Sequence, residues 1–272
     1  MMSDGIAVEL MQPCAFAAGR APSGSNSGCG VRVLQSGMEQ GARLLDLGRR
    51  RYAAVLDLQR ALHAAVAEGR APDTWLVVEH EPVITLGRNA KEANVLLPRA
   101  LLAARGVDVA EIERGGDVTY HGPGQVVVYP IRRLARFREV VPLVSSLETA
   151  VTGALHRFGI AAQPRSEHRG VYVGDDAICA IGIAVKRMTS LHGLALNACT
   201  ALDYDRLITP CGTPQFGITS ISAQLGRDVS WAEARDVLLD SLEGAFGLKF
   251  ERETVPPGAP LPFPSNRLTE SA

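Results

Sequence analysis

Cys211 sits in Pro210-Cys-Gly-Thr-Pro214, with proline or glycine on each side. Those neighbours force a loop and hold the thiol outside any regular element. A cysteine so placed is a candidate nucleophile, able to carry a group as a thioester. It is also a candidate core residue, because free cysteine is most often buried as a small hydrophobe. Cys179 and Cys199 lie in apolar strand surroundings and read as core; Cys14 and Cys29 fall in the N-terminal stretch.

The second group is Arg114-Gly-Gly-Asp-Val-Thr-Tyr-His-Gly-Pro-Gly-Gln125, which holds four glycines in twelve residues. Glycine lets backbone approach a ligand closely, and Arg114, Thr119 and His121 supply donors around it. The run reads as one ordered loop between two strands and makes a good pocket wall. It is not a P-loop, lacking G-x-x-x-x-G-K-[ST]. Nor is it a dinucleotide fingerprint, because a strand and not a helix follows. Asp117 reads as a cap on backbone amides rather than a base. With no HExxH, no CxxC and no acidic cluster at metal spacing, no metal and no cofactor are expected.

These groups need a scaffold. Strands are expected at 75–79, 107–112, 126–129, 170–173, 178–185 and 189–197, the 170–185 pair forming a hairpin. Helices are expected at 48–68 and 141–158, closed by Gly69 and Gly159, and from Ser230-Trp-Ala-Glu233 to near Gly247. Three strands in succession favour antiparallel neighbours. The expected fold is α/β of the α+β type: a mixed, largely antiparallel central sheet flanked by helices. Residues 1–30 read as a disordered extension, 31–254 as one catalytic domain, and 255–272 as a Pro-rich disordered tail.

The chain has 272 residues, 46% hydrophobic, enough for one sizeable core. Its formal net charge of −1 gives no bulk attraction to nucleic acid or anionic membrane. No apolar run reaches the ~18 residues of a membrane helix, and the first residues lack a secretory pattern. Five cysteines without a CxxC pair fit reduced thiols and a cytoplasmic location.

The glycine-rich run resembles the signature loop of the lipoyl(octanoyl) transferases. So, in the same order, do Val78-Glu-His-Glu-Pro-Val-Ile-Thr-Leu-Gly-Arg88, Gly170-Val-Tyr-Val-Gly174, Ala180-Ile-Gly-Ile183, Leu191-His-Gly-Leu-Ala-Leu-Asn197 and Thr209-Pro-Cys-Gly212. The likeness runs from about residue 31 to about residue 250. It implies the fold shared with biotin and lipoate protein ligases. It also implies octanoyl transfer from octanoyl-acyl carrier protein to a lysine of lipoyl domains, those of 2-oxoacid dehydrogenases and of the glycine cleavage H protein. By the same resemblance Cys211 carries the acyl group. Arg114, Gly115, Gly116, Asp117, Val118, Thr119, Tyr120, His121, Ala180, Ile181, Gly182, Gly193, Leu194 and Ala195 bind substrate. His80-Glu-Pro82 and Thr85-Leu-Gly-Arg88 look like a second pocket wall, and the amides of Gly115, Gly116 and Gly182 like holders of the acyl carbonyl.

One position departs from the family. Its lysine, three residues before the small-Ile/Leu-Gly tripeptide, falls here on Ala177. The resemblance therefore implies an acyltransferase of reduced activity. The odd spacing of Lys186 from Ala177 puts them on opposite faces of an unbroken strand, unless a bulge at Gly182 repaired the parity, which makes Lys186 the weaker candidate. His121 and His192 are the other candidate activators of the thiol, each also readable as an orienting pocket histidine. Two alternatives follow from Ala177: a catalytically impaired relative that binds lipoyl domains or acyl chains, and an ATP-dependent lipoate or biotin ligase-like enzyme. Two basic clusters, Arg49-Arg-Arg51 and Arg132-Arg133 with Arg136 and Arg138, read as solvated faces or as a surface steering an acidic carrier protein.

Overall fold

The computed structural model describes residues 40–165, 169–209 and 217–264. The chain opens with β1 (Gln40–Arg50), α1 (Tyr52–Ala67), β2 (Thr74–His80) and β3 (Val83–Leu86). It continues through α2 (Arg99–Ala104), β4 (Asp108–Glu111), β5 (Val118–His121) and β6 (Gln125–Ile131). Then come α3 (Val140–Arg157), β7 (Gln163–Pro164), β8 (Gly170–Val173), β9 (Asp176–Lys186) and β10 (Thr189–Asn197). The last elements are α4 (Ile221–Leu225), α5 (Trp231–Phe246) and β11 (Leu248–Thr254).

Eight strands form one sheet in the order β11-β1-β2-β6-β10-β9-β8-β7. β1 pairs parallel with β11 and β2, and the remaining neighbours pair antiparallel. The expected mixed, largely antiparallel sheet flanked by helices is thus the observed one. Alternate side chains feed two cores. Trp75, Val77, Val126, Val128, Leu194 and Leu196 pack with α3 and α5. Leu76, Val78, Val127, Tyr129 and Ala195 pack with α1. Burial on both faces is why these strands read as apolar runs rather than alternating ones. A small second sheet, β4-β3-β5, stands beside the large one.

Several expectations shift. The first helix starts at Tyr52, not 48, because β1 continues through Gly48 to pair Arg49 with Glu79 and Arg50 with His80. Gly48 has φ +59, takes a hydrogen bond to Asp46 Oδ1 through its N–H, and lies in the register shift that lets the strand run on. The glycine-rich run is not one loop: Val118–His121 forms β5, antiparallel to β3. β1, β3 and β11 had no sequence reading of their own. β9 carries a bulge, at Ile178 and not at Gly182. Register with β10 is continuous, whereas against β8 it slips after Val171. Ile178 and Cys179 consequently both enter the α3/α5 core. Helix closures at Gly69, Gly159 and Gly247 occur as expected, with φ +73, +76 and +61, and Ser230 Oγ accepts from the Glu233 N–H.

The expected C-terminal tail departs at once from a free extension. Val255 is buried, its N–H donates to Asp46 O, and Ala259 and Leu261 pack on the α1-side core. Residues 1–39, which include the expected extension, and 265–272 lie outside the described residues. Among the described residues no helix is long and apolar enough to cross a membrane.

Candidate functional site

A cavity of about 270 Å³ opens where the two sheets meet. That is near the small end of ligand pockets, which run roughly 300–1,000 Å³, and suits a slender ligand. One wall is the glycine-rich run: Arg114, Gly115, Gly116, Asp117, Val118, Thr119 and His121. The opposite wall is Ala180, Ile181, Gly182 and Ile183 of β9 with His192, Gly193, Leu194 and Ala195 of β10. Of the residues expected to bind substrate, Tyr120 alone among the described ones does not line it. Strand alternation in β5 turns its ring outward to stack on Tyr204, centroids 4.5 Å apart. Cys211 lies outside the described residues.

Six further residues line the cavity: Tyr52, Ile112, Tyr129, Val140, Val144 and Arg169. Val140 and Val144 belong to the apolar stripe of α3, which the sequence shows as ordinary core. Arg169 carried no signal; it pairs with the buried Glu148 at 3.5 Å.

The expected second wall stands behind the first. Gly87 N–H donates to Asp117 O, Arg88 N–H to Arg114 O and Asn89 N–H to Gly116 O. Thr85 O and Oγ1 accept from Arg114 Nη2 at 2.8 and 3.1 Å. Residues 80–88 therefore brace the glycine-rich run and do not touch the cavity. Asp117 acts as a cap, accepting from the N–H groups of Val118 and Lys91 and from Asn94 Nδ2. Gly115 N–H makes a long contact to Ile183 O at 3.4 Å, which ties the glycine-rich run to β9.

Behind His121 runs a buried polar chain. His121 Nδ1 donates to Gln125 Oε1 at 2.7 Å, and Gln125 Nε2 donates to Asn197 Oδ1 at 3.0 Å. Asn197 Nδ2 then donates to Tyr204 Oη at 3.2 Å and Thr219 O at 3.0 Å. Thr219 N–H donates to Ala177 O, and Ala177 N–H donates to Gly217 O at 2.9 Å. Residues 217–219 are thus laid against Ala177, the position to which the resemblance assigns the missing lysine.

The three candidate activators are poorly suited to act there. Burial pushes His121 down to about 3 and His80 down to about 4, so both are neutral at pH 7. His80 Nδ1 donates to Arg50 O and its Nε2 accepts from Tyr129 Oη at 2.8 Å. His192, also lowered by burial, faces Glu113 at 3.6 Å. Lys186 pairs with Glu113 at 3.5 Å and stands nine residues along β9 from Ala177, about 30 Å at strand rise. The bulge at Ile178 does repair the parity, but distance decides against Lys186.

These histidines have a consequence for stability. His63, His80, His121 and His192 all have folded pKa values below 6.5, so the unfolded chain binds protons first as pH falls. Stability is full above pH 6.5 and is lost below it, by up to about 1.4 kcal/mol per pH unit for each histidine. Melting temperatures should fall between pH 6.5 and 5, before ordinary carboxylates titrate. A flat profile over that window would show that these rings charge freely in the fold.

Residues 51–243 match the family described as the lipoyl protein ligase A/B catalytic domain. An octanoyltransferase of Syntrophobacter fumaroxidans is 45% identical over 186 residues, 68% of this chain and 82% of that protein. One of Caldanaerobacter subterraneus subsp. tengcongensis is 44% identical over 178 residues, 65% of this chain and 77% of that protein. Among solved structures, a bipartite lipoate protein ligase of Thermoplasma acidophilum superposes with TM-score 0.65 at 17% identity, covering 80% of this chain and 89% of its own. A lipoate-protein ligase A bound with ATP gives 0.63 at 17% identity, covering 81% and 90%. At that identity the likeness speaks for the fold.

Proposed function

Because this chain belongs to the octanoyltransferases of the lipoyl protein ligase A/B catalytic-domain family, we propose that it moves an octanoyl group from octanoyl-acyl carrier protein to a lipoyl-domain lysine through a thioester on Cys211. The observation that carries the reading is the cavity of about 270 Å³ between the glycine-rich run and β9–β10, lined by Ile181, Leu194, Val140 and Val144. The octanoyl chain lies along Ile181, Leu194, Val140 and Val144. The small residues Gly115, Gly116, Gly182 and Gly193 leave it room. The Cys211 thiolate attacks the donor carbonyl, the carrier thiol leaves with a proton, and the lysine amine then takes the acyl group as an amide. Cys211 regains its proton from that amine. Acceptors on this reading are the lipoyl domains of 2-oxoacid dehydrogenases and the glycine cleavage H protein, met in the cytoplasm.

Incubation with octanoyl-acyl carrier protein should add one octanoyl mass, lost on treatment with hydroxylamine. No adduct, together with lipoate-dependent exchange of pyrophosphate into ATP, would make the chain a ligase. No adduct and no exchange would make it a binding relative.

Ala177 sets the expected rate. A free thiol of pKa ~8.5 is only a few per cent thiolate near neutrality. An adjacent cation lowers such a pKa by roughly 1–3 units. Ala177→Lys should therefore shift the alkylation midpoint of Cys211 down by about a unit or more. It should also speed transfer near pH 7 by about tenfold to thirtyfold. Iodoacetamide labelling followed by peptide mapping reads Cys211 apart from the exposed Cys199. An unchanged midpoint would mean that another group already ionises the thiol.

A further inference from the structure

The two basic clusters part company in three dimensions. In the first, Arg49 pairs with Glu81, Arg51 with Asp108, and Arg50 donates to Pro256 O. In the second, Arg132 faces Asp73 and Phe246, and Arg133 Nη1 donates to Ala67 O. Arg136 and Arg138 differ: both are exposed, and among the described residues neither guanidinium group makes a hydrogen bond, ion pair or ring contact. The intervening Phe137 is 46% exposed, and Val141, one residue into α3, is 40% exposed. The one carboxylate within the stretch, Glu139, is turned back to accept from Ala135 N–H. The next residue, Val140, lines the cavity, as does Val144 one turn on.

Among the described residues, Arg136 and Arg138 thus leave two guanidinium groups without a partner on either side of an exposed aromatic ring, at the start of the helix that walls the cavity. Arginine and aromatic side chains are the types that anchor interfaces. We propose that Arg136, Phe137, Arg138 and Val141 form the docking ridge for the acidic carrier domain of the acyl donor. The inference rests on the proposed reaction, in which the acyl chain is delivered on a carrier. A donor seated here would feed its chain past Val140 and Val144. An acidic helix supplies the counter-charges that Arg136 and Arg138 lack, while Phe137 and Val141 supply the apolar centre. The acceptor fits less well, because it must present a lysine ammonium, which two free guanidinium groups repel. Opposite charge on a ridge of this kind raises the encounter rate and makes it sensitive to salt.

The test compares the wild type with the double variant Arg136→Glu, Arg138→Glu. Two donors are used: octanoyl-acyl carrier protein and the carrier-free octanoyl thioester of N-acetylcysteamine. At low salt the KM for the carrier donor should rise roughly tenfold or more, and the gap should narrow at high salt. Rates with the carrier-free donor and the KM for the lipoyl domain should stay within about twofold of wild type. Phe137→Ala should raise the carrier KM without adding salt dependence. Direct titration of each protein with octanoyl-acyl carrier protein reads docking even in the absence of transfer. Weakened binding by the double variant would then support the ridge while the proposed reaction fell. An unchanged carrier KM, a raised KM for the lipoyl domain instead, or an equal loss with both donors would each overturn the proposal.

Discussion

Cys211→Ser is expected to abolish the hydroxylamine-labile octanoyl adduct and to lower transfer roughly a thousandfold or more, the scale of losing a nucleophile. A serine hydroxyl does not ionise near neutral pH. Burial lowers the pKa of both His121 and His192, so neither supplies a cation near neutral pH, and His121 Nδ1 donates to Gln125 Oε1. The other described thiols cannot stand in. Burial raises Cys179 far above its ordinary range, on the strand face that enters the α3/α5 core. Cys199 is exposed, but partial burial and then the nearby Glu79 raise its pKa as well. Intact mass and peptide mapping of the acylated protein check this. An adduct that survives in Cys211→Ser, or that maps to Cys199, would remove Cys211 from the mechanism.

Gly193→Ala is expected to destabilise the fold by more than about 3 kcal/mol, beyond the usual cost of overpacking. A Cβ at this position would lie 1.9 Å from Val128 O and 2.9 Å from Pro130 Cδ. Both belong to β6, which is hydrogen-bonded to β2 on its other side, so the obstacle is backbone at the centre of the sheet. The preceding His192 has φ +61, a left-handed conformation that bends β10 at this point and holds the ring against Glu113. Gly182, its register partner across β9, offers a contrast. A Cβ there meets Arg114 Cδ at 3.0 Å, a side-chain contact that a shift of a few tenths of an ångström relieves, whereas backbone blocks Gly193. Gly182→Ala should cost much less stability. Urea midpoints of the two variants test the difference. A wild-type midpoint for Gly193→Ala would mean that β6 and β10 can separate without loss.

The sequence alone determined the family, the class of fold and most of the cavity wall. Each of these rests on local information. Glycines at fixed spacing, β-branched runs and the Ser230–Glu233 cap are read within a few residues, and the ordered motifs from Val78 to Gly212 carry the likeness. What the sequence missed is what depends on distant partners. Tyr120 looks identical to its neighbours in the motif, yet alternation in β5 sends it to Tyr204 and away from the cavity. Residues 80–88 match the family as strongly as the cavity wall does, yet they serve it only by holding Arg114 and Gly116 from behind. Val140, Val144 and Arg169 gave no signal, because a helix stripe and a lone arginine read the same whether they face core, solvent or ligand. Parity along β9 could be argued from spacing, but only pairing with β8 shows that the bulge is at Ile178. Two arginine clusters of like composition also proved different in kind. Ion pairing is decided by which carboxylates the fold brings near: Glu81 and Asp108 reach Arg49 and Arg51, whereas among the described residues none pairs with Arg136 or Arg138.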